Sequence, residues 1–567
     1  MKLDLTLTPF SYPGSSYAIR WMGESPDEPE GLYLCTARKV GWRSRIAKLD
    51  LLQDGEVRPL SAADAEPAVL EFRSGETAGQ ACFGSPTQLV LRAEGAGLRL
   101  TFVKPSHLLE RERGAAEINC SAQYEIAGVL PLEGSLERHA EWDGDNAVWG
   151  YVDCLPDPET GAAEAVLELV YGASVWQPAA DPVRFAAALA EAEQAYAAWR
   201  APFGEAARPA DRDAYDLAAY LHWSSVVQPS GYLTRGTVYS SMTGMAGIWS
   251  WDHCFHAMAL IHGDPDLAWD QLMLMFDRQD RYGALPDCMT ETYVHWGSTK
   301  PPIHGFALGW LMDRAPEQIT DERLTEAYAP LAAWTDWWMT YRDRNGNGIP
   351  EYHNGNDCGW DNSTIFQSGV PLESPDLSAY LVLQMETLAR VAERLSMPEQ
   401  ARDWAERAEE LLRLMVERFR SGDRLRPIRL EGEARIASSS LLEFIPLLLG
   451  RRLPEDVASA MIQELRDPRF WTEYGWASEA LDSPLYVEDG YWRGPVWAPP
   501  AFLLVHALHE LGEKAFAREA AVRFLDTVSA AGMAENFSSR TGASQRDPAI
   551  VWTASAFMLL QAYVRVD

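Results

Sequence analysis

The chain has 567 residues, more than one ordinary hydrophobic core accommodates, so two or more domains are expected. With 47% hydrophobic and 23% charged residues the composition is globular, which excludes a disordered or collagen-like chain. A formal net charge of −33 repels both nucleic acid and anionic membrane surfaces, and by itself names no ligand.

The first eight residues, Met1 to Thr8, alternate apolar and polar and read as a strand, not as a basic-then-apolar secretion signal. No apolar run approaches the roughly 18 residues that a membrane span needs. The seven cysteines are odd in number and none is spaced as CxxC, so neither a disulfide framework nor a zinc knuckle is indicated. The expectation is a protein of the reducing cytoplasm with no membrane partner. Its oligomeric state is left open.

Residues 1–177 hold short alternating runs between turn signals, for example 68–73, 88–92 and 98–103, and this pattern predicts an antiparallel β-sandwich domain. Residues 178–207 form a linker: Asp181-Pro182 opens an alanine-rich helix over 185–199 that ends before Pro202. From 208 to 567 the pattern is helical, with helices over 379–394, 398–419, 438–449, 501–511 and 515–529. That length has room for about twelve helices, and no run between them alternates like a buried strand, so a parallel α/β sheet is not expected.

Chemistry gathers in the loops of this helical domain. In Asn356-Asp357-Cys358-Gly359-Trp360-Asp361-Asn362-Ser363, carboxylates and amides surround a glycine and a tryptophan. Gly359 allows a backbone to approach a ligand, and a carboxylate beside a large aromatic is partly desolvated, which favours a proton-holding acid. A plain polar turn is the other reading.

Three further segments stand with it. In Trp249-Ser250-Trp251-Asp252-His253-Cys254-Phe255-His256, Asp252 could grip sugar hydroxyls while Trp251 stacks on the ring. His253 and His256 have a spacing that serves metals, but no third ligand follows, and core histidines are the expectation. Asp489-Gly490-Tyr491-Trp492-Arg493-Gly494-Pro495-Val496-Trp497 sets an arginine among aromatics, suited to orienting a carboxylate or hydroxyl, or else to stacking structurally on an indole. Glu535, in Ala534-Glu535-Asn536-Phe537, follows the end of a helix. A glycosidase needs two carboxylates flanking the scissile bond, and Asp361 and Glu535 are distant loop carboxylates that could supply them.

In chain order, Trp251-Asp252 with Phe255-His256, Gly359-Trp360-Asp361, Trp492-Arg493-Gly494-Pro495-Val496-Trp497, and Glu535-Asn536-Phe537 with Thr541-Gly542 resemble glycoside hydrolase family 63. That group includes processing α-glucosidase I, bacterial α-glucosidases, and mannosylglycerate and glucosylglycerate hydrolases, and the trehalases are close relatives. The resemblance covers about residues 240 to 555 and implies an (α/α)6 barrel with an inverting mechanism. It implies Asp361 as general acid and Glu535 as general base. Asp252 would bind the cleaved sugar, Trp251, Trp360 and Trp497 would wall it beside Gly359, and Arg493 would orient substrate. Cys358 stands where many relatives carry serine. Ala498-Pro499-Pro500 replaces an asparagine-containing helix start, which bears on the leaving-group pocket.

Asp343-Arg344-Asn345-Gly346-Asn347-Gly348-Ile349-Pro350-Glu351 places oxygen ligands at alternate positions with a glycine at the sixth. That spacing suits structural calcium held by Asp343, Asn345, Asn347 and Glu351, and some bacterial members of the resembled family hold calcium at a similar loop. A metal-free Asn/Gly turn is the alternative, and the hydrolysis itself requires no cofactor.

The resulting expectation is an inverting, exo-acting α-glucosidase on a small α-glucoside or oligosaccharide. A glucosylglycerate or mannosylglycerate hydrolase or a trehalase-like enzyme is the alternative. In the segment 287–302, Tyr293, His295, Trp296 and Lys300 could meet a charged aglycone such as glycerate, or form an ordinary lid. A sugar epimerase would rely on histidines, which are not grouped with these motifs apart from His253 and His256. A non-catalytic carbohydrate-binding protein would not need both carboxylates.

Overall fold

The structure is a computed structural model and describes residues 1–25 and 28–565. It divides into two compact units. One comprises residues 1–202, 219–228 and 241–246, and the other residues 203–218, 229–240 and 247–567.

The first unit is built on two eight-stranded antiparallel sheets. Strand Gly97–Phe102 is central to one of them, paired with Arg45–Gln53 on one side and Ala147–Leu155 on the other. In the second sheet Ala162–Tyr171 lies between Glu125–Glu133 and Gln88–Glu94. Inward positions such as Leu49, Leu51, Leu98, Leu100 and Val152 are buried, as one apolar face per sheet requires.

Two expectations for this unit change. Residues 1–8 form no strand; Leu3 makes a single bridge to Ala65 and a turn follows, in which Asp4 Oδ1 accepts from the Thr6 amide and hydroxyl, at 2.9 and 2.6 Å, and the Asp4 carbonyl accepts from the Leu7 and Thr8 amides. An aspartate bonding its own downstream backbone overrides weak alternation. The alanine-rich helix runs Phe185–Arg200, starting three residues after Pro182, and clusters with the first unit. It packs there through Phe185 and Ala188 on Cys82, Val90 and Val166.

The second unit is helical. Helix Asp252–Leu260 is buried at all nine positions and packs on both His304–Arg314 and Val551–Leu560, the latter buried at all ten. Helix His304–Arg314 packs in turn on Pro375–Arg394, and Ala498–Glu510 packs on Val551–Leu560. Helices apolar all round are interior ones. By contrast Pro398–Phe419 buries only Trp404, Ala408, Leu411, Leu412, Met415 and Phe419, one stripe at helical spacing against Pro375–Arg394.

Two helix starts lie earlier than the apolar pattern suggested, at Pro375 and Ala498. In each case proline occupies the first turn, where its missing N–H removes no bond. The segment expected as a helix over 438–449 is a 3-10 run, Leu441–Arg452, containing Pro446 and broken at Gly450 (φ 59°). Proline in the interior removes an amide donor and clashes with the preceding turn, which explains the tighter winding. Among the described residues no helix is long and apolar enough to cross a membrane. All seven cysteines are free thiols.

Candidate active site

Two small sheets bring the motif loops of the second unit together. In the first, Ile248–Trp249 pairs with Cys288–Met289, which pairs with Val294–His295. This holds Asp252, at the start of the next helix, near Asp287 and Lys300. In the second, Val496–Trp497 pairs with Asn536–Phe537, with Trp497 opposite Asn536. Glu535 is thereby fixed beside the loop that carries Tyr491. Strands of two residues show no alternation, so neither sheet could be read from the sequence.

The loop bearing Asp361 is held by buried polar contacts. Asp357 is fully buried, accepting from Arg342 Nη1 at 2.6 Å, the His353 amide at 2.9 Å and the Thr299 amide at 3.2 Å. Gly359 adopts φ 76°, and a Cβ there would lie 2.9 Å from the Trp251 indole. A Cβ on Gly355 would fall 1.8 Å from the Asp361 carbonyl oxygen. Glycine is thus needed at both positions to let this turn close on its neighbours. Asn362 ties the turn to the Tyr491 loop, its Oδ1 accepting from the Trp492 amide and its Nδ2 donating to the Gly490 carbonyl, both at 2.9 Å.

The carboxyl groups differ in environment. Asp361 is one-third exposed, and Lys300 Nζ lies 3.1 Å from its Oδ1. The same ammonium is 3.3 Å from Asp287 Oδ1. Burial alone would push the Lys300 ammonium down, but Asp361 first, and then Asp287 and Asp252, raise it above the ordinary lysine range. Asp252 is buried, and desolvation raises its carboxyl well above the usual range, with Lys300 opposing and Asp361 and Asp287 adding to the rise. Glu535 is also buried and raised by desolvation, offset by the Tyr491 hydroxyl that donates to it and by the Asp547 amide at 3.4 Å from its Oε2. The desolvation expected at the Gly-Trp-Asp motif therefore falls on Asp252 and Glu535, while Asp361 meets solvent and an ammonium.

Tyr491 connects these groups. It sits at φ 64°, rare for a residue with a Cβ, with its carbonyl accepting from Trp497 Nε1 at 2.9 Å. Desolvation raises its hydroxyl above the ordinary tyrosine range, and Glu535, Asp361 and Asp252 each raise it further. Asp252, Asp361 and Glu535 are thus all within electrostatic reach of one phenol.

The tryptophans pack largely on one another. Trp492 lies between Trp360 (centroids 4.6 Å apart, 26°) and Trp497 (3.9 Å, 5°), and Trp251 meets Trp552 edge-on at 5.6 Å. All except Trp552 are at most 2% exposed, so their faces are largely taken by one another. Arg493 donates from Nε and Nη2 to the Leu485 carbonyl at 3.2 and 3.0 Å, shaping its own loop. His253 has its ring nitrogens 3.1 and 2.9 Å from the carbonyls of Trp249 and Val238, with burial lowering its pKa to about 4. It is a core histidine whose ring lies 4.6 Å from that of His256, tilted by 54°.

In the acidic loop, Asp343 accepts from the amides of Asn347 (3.1 Å) and Gly348 (2.9 Å). Asn345 and Asn347 point their side-chain amides at Glu373 Oε1, at 2.9 and 2.7 Å. Their oxygens accept backbone amides in turn, Asn345 Oδ1 that of Asn347 at 3.1 Å and Asn347 Oδ1 that of Ile349 at 2.8 Å. Glu351, the expected last ligand, instead meets His353 Nε2 at 3.0 Å. Glu373, which both side-chain amides meet, is also held by Arg418 at 2.8 Å.

Tyr491, Lys300, Asn362 and Glu373 were absent from the residues assigned from sequence as catalytic, sugar-binding or calcium-binding. Tyr491 lay within a motif already singled out. Lys300 was noted only as a contact for a charged aglycone.

Residues 245–553 match the mannosylglycerate hydrolase MGH1-like glycoside hydrolase domain. The chain belongs to this family. It is a glycoside hydrolase of family 63. The chain is 25% identical over 428 residues to a glucosylglycerate hydrolase of Mycolicibacterium hassiacum, covering 58% of this chain and 96% of that one. It is 22% identical to a mannosylglycerate hydrolase of Thermus thermophilus, covering 54% and 92%. The crystal structure of a Thermus thermophilus family 63 mannosylglycerate hydrolase in complex with glucose superposes with TM-score 0.53 at 19% identity, over 61% of this chain and 99% of that one. A bacterial glucoamylase complexed with acarbose superposes with TM-score 0.60 at 12% identity, over 98% and 93%. These two likenesses speak for the fold, the second across almost the whole glycoside hydrolase described here.

Proposed function

We propose that this family 63 hydrolase is an inverting, exo-acting α-glycosidase, an α-glucosidase of small α-glucosides or oligosaccharides, with Asp361 as general acid and Glu535 as general base. The observation that carries the reading is the convergence of both carboxyl groups on Tyr491: one receives its hydroxyl hydrogen bond and the other lies within electrostatic reach. The two residues are 174 positions apart, Asp361 on a loop held by buried polar contacts and Glu535 beside the small sheet Val496–Trp497/Asn536–Phe537, so chance juxtaposition is a poor account of them.

In this mechanism a water molecule attacks the anomeric carbon, and its proton passes to Glu535. Asp361 gives its proton to the departing glycosidic oxygen, and solvent exchange restores both groups. A buried carboxylate with a raised pKa is a more avid proton acceptor, which suits Glu535 as the base. Lys300 has two carboxylate partners, so Asp287 can hold the ammonium whenever Asp361 carries a proton. Asp252, buried at the same cluster, is suited to gripping sugar hydroxyls.

The succession of inner helices, in which Asp252–Leu260 touches both His304–Arg314 and Val551–Leu560, supports an (α/α)6 barrel for the helical unit. The acidic loop is read as a structural calcium site, and the seven free thiols accord with a reducing cytoplasm.

Cleavage of glucosylglycerate or mannosylglycerate is the second reading, favoured by the names of the relatives. Against it, the cations nearest the carboxylate cluster are engaged: Lys300 by Asp361 and Asp287, Arg493 by the Leu485 carbonyl, and Arg546 by Asp489 at 2.7 Å. A panel of α-linked disaccharides, glucosylglycerate and mannosylglycerate, scored for released monosaccharide, distinguishes the two. Asp361→Asn and Glu535→Gln should each reduce turnover of the active substrate by about 10²–10⁴-fold while the far-UV circular dichroism is retained. Near wild-type turnover in either variant overturns the assignment.

A further inference from the structure

We propose that Asp287, Cys288 and His295 form a binding site for a thiophilic divalent cation of the zinc type. The reaction proposed above uses none of the three as acid or base and needs no metal.

The hairpin Cys288–Met289/Val294–His295 sets Cys288 directly opposite His295, so their side chains share one face of the ribbon. The Asp287 amide donates to the His295 carbonyl at 3.0 Å, which draws the third side chain to the same end. Asp287 Oδ2 lies 3.3 Å from His295 Nδ1. One ligand atom from each of the three residues lies within 4.8 Å of the other two, and among the described residues no other group of three His, Cys, Asp or Glu residues converges so closely. Zinc takes sulfur at about 2.3 Å and nitrogen or oxygen at about 2.0–2.2 Å, so a small rotation closes the triangle around an ion. The His295 side chain is half exposed and has the freedom to make that rotation.

The donor chemistry selects the metal. Thiolate, imidazole and carboxylate together suit zinc and similar borderline ions, whereas calcium and magnesium take oxygen donors. Three protein ligands leave one position to water. Cys288 is also the accessible thiol of the chain: the other six cysteines are buried, and Cys288 is only partly so.

The charged neighbours are compatible with a cation. Lys300 sits at 3.3 Å on Oδ1 of Asp287, and Oδ2 accepts from Ser298 Oγ at 3.2 Å, which leaves it a lone pair for the metal. A dication with one thiolate and one carboxylate is neutral as a unit, and the Lys300 ammonium is offset by Asp361 as well as by Asp287 and Asp252. Tyr293 lies within electrostatic reach of Cys288, Glu291 and Asp287, and Cys288 within reach of Asp287, Lys300 and Asp252. On binding, the Cys288 thiol gives its proton to solvent and the sulfur–metal bond forms, with no change in oxidation state.

The test uses the full chain, freed of metal by a chelator and titrated with Zn2+ against a chromophoric competitor. One equivalent should bind, and Cys288→Ser and His295→Gln should each weaken binding about tenfold or more while metal-free thermal stability is unchanged. Neither variant removes a group from the Asp361–Glu535 machinery. With Co2+ in place of Zn2+, wild type should show a thiolate-to-metal charge-transfer absorption that Cys288→Ser lacks. Absence of binding, binding that survives both substitutions, or a bound Co2+ without that absorption overturns the site. Each readout is independent of substrate, so the glycosidase reading and this one fail separately.

Discussion

Replacing Lys300 by methionine removes the ammonium shared by Asp361 and Asp287 and sensed by Asp252. The Lys300 side chain is only 6% exposed and Asp287 only 9%, whereas Asp361 is 33% exposed and can relax into water. Breaking a buried pair by deleting one partner costs about 3–5 kcal/mol, and the exposure of Asp361 places the expected loss near the lower limit, about 3 kcal/mol. For a unit of this size that is a fall of about 5 °C in Tm. The sign with pH follows from the raised ammonium: its contribution is fully present below the ordinary lysine value of about 10.4 and is lost as pH rises through the higher folded value. The deficit of Lys300→Met should therefore be constant through neutral pH. Without the ammonium, which opposes the rise, the buried Asp252 carboxyl holds its proton more tightly, so the alkaline limb of kcat/KM should move to higher pH. Differential scanning fluorimetry and a pH–rate profile measure the two effects. An unchanged Tm together with an unmoved alkaline limb refutes the role given to Lys300.

Gly359→Ala must both strain a residue at φ 76° and push a methyl to 2.9 Å from the Trp251 indole. A destabilisation of about 1–3 kcal/mol in urea unfolding, with loss of activity, is expected, and an alanine variant as stable as wild type contradicts the close approach. The calcium reading predicts that millimolar Ca2+ raises Tm after chelator treatment, by about 2.7 kcal/mol of stabilisation at a hundredfold excess over Kd. Asp343→Ala should abolish that rise, and an equal response in the variant refers the ion elsewhere.

The carboxylate motifs were legible because chemistry and local chain type coincide there: Asp361 follows a glycine that the turn demands, and Glu535 follows the end of helix Lys514–Ala531. The helical pattern was legible where one face is buried, as in Pro398–Phe419, whose ends match the expectation. What escaped reading depends on partners remote in sequence. Lys300 looks like any lid lysine until Asp361 lies beside it, 61 positions away. Glu373 is a helix-edge glutamate until the strand pair Glu351–Tyr352/Leu372–Glu373 brings it near the acidic loop. An exposed indole and a buried one look alike in a sequence, so the three-indole stack of Trp360, Trp492 and Trp497 on each other is not legible there. Tyr491 acquires its role through a positive φ that a sequence pattern does not display.

Stereochemistry is the most direct test of the pairing of Asp361 with Glu535. With room for water between acid and base, carboxyl groups about 6.5–9.5 Å apart deliver hydrolysis with inversion, whereas a separation near about 5 Å gives retention. Proton NMR of the first product formed from an α-glucoside should show the β-anomer, with the α-anomer growing only through mutarotation. Initial release of the α-anomer contradicts the account.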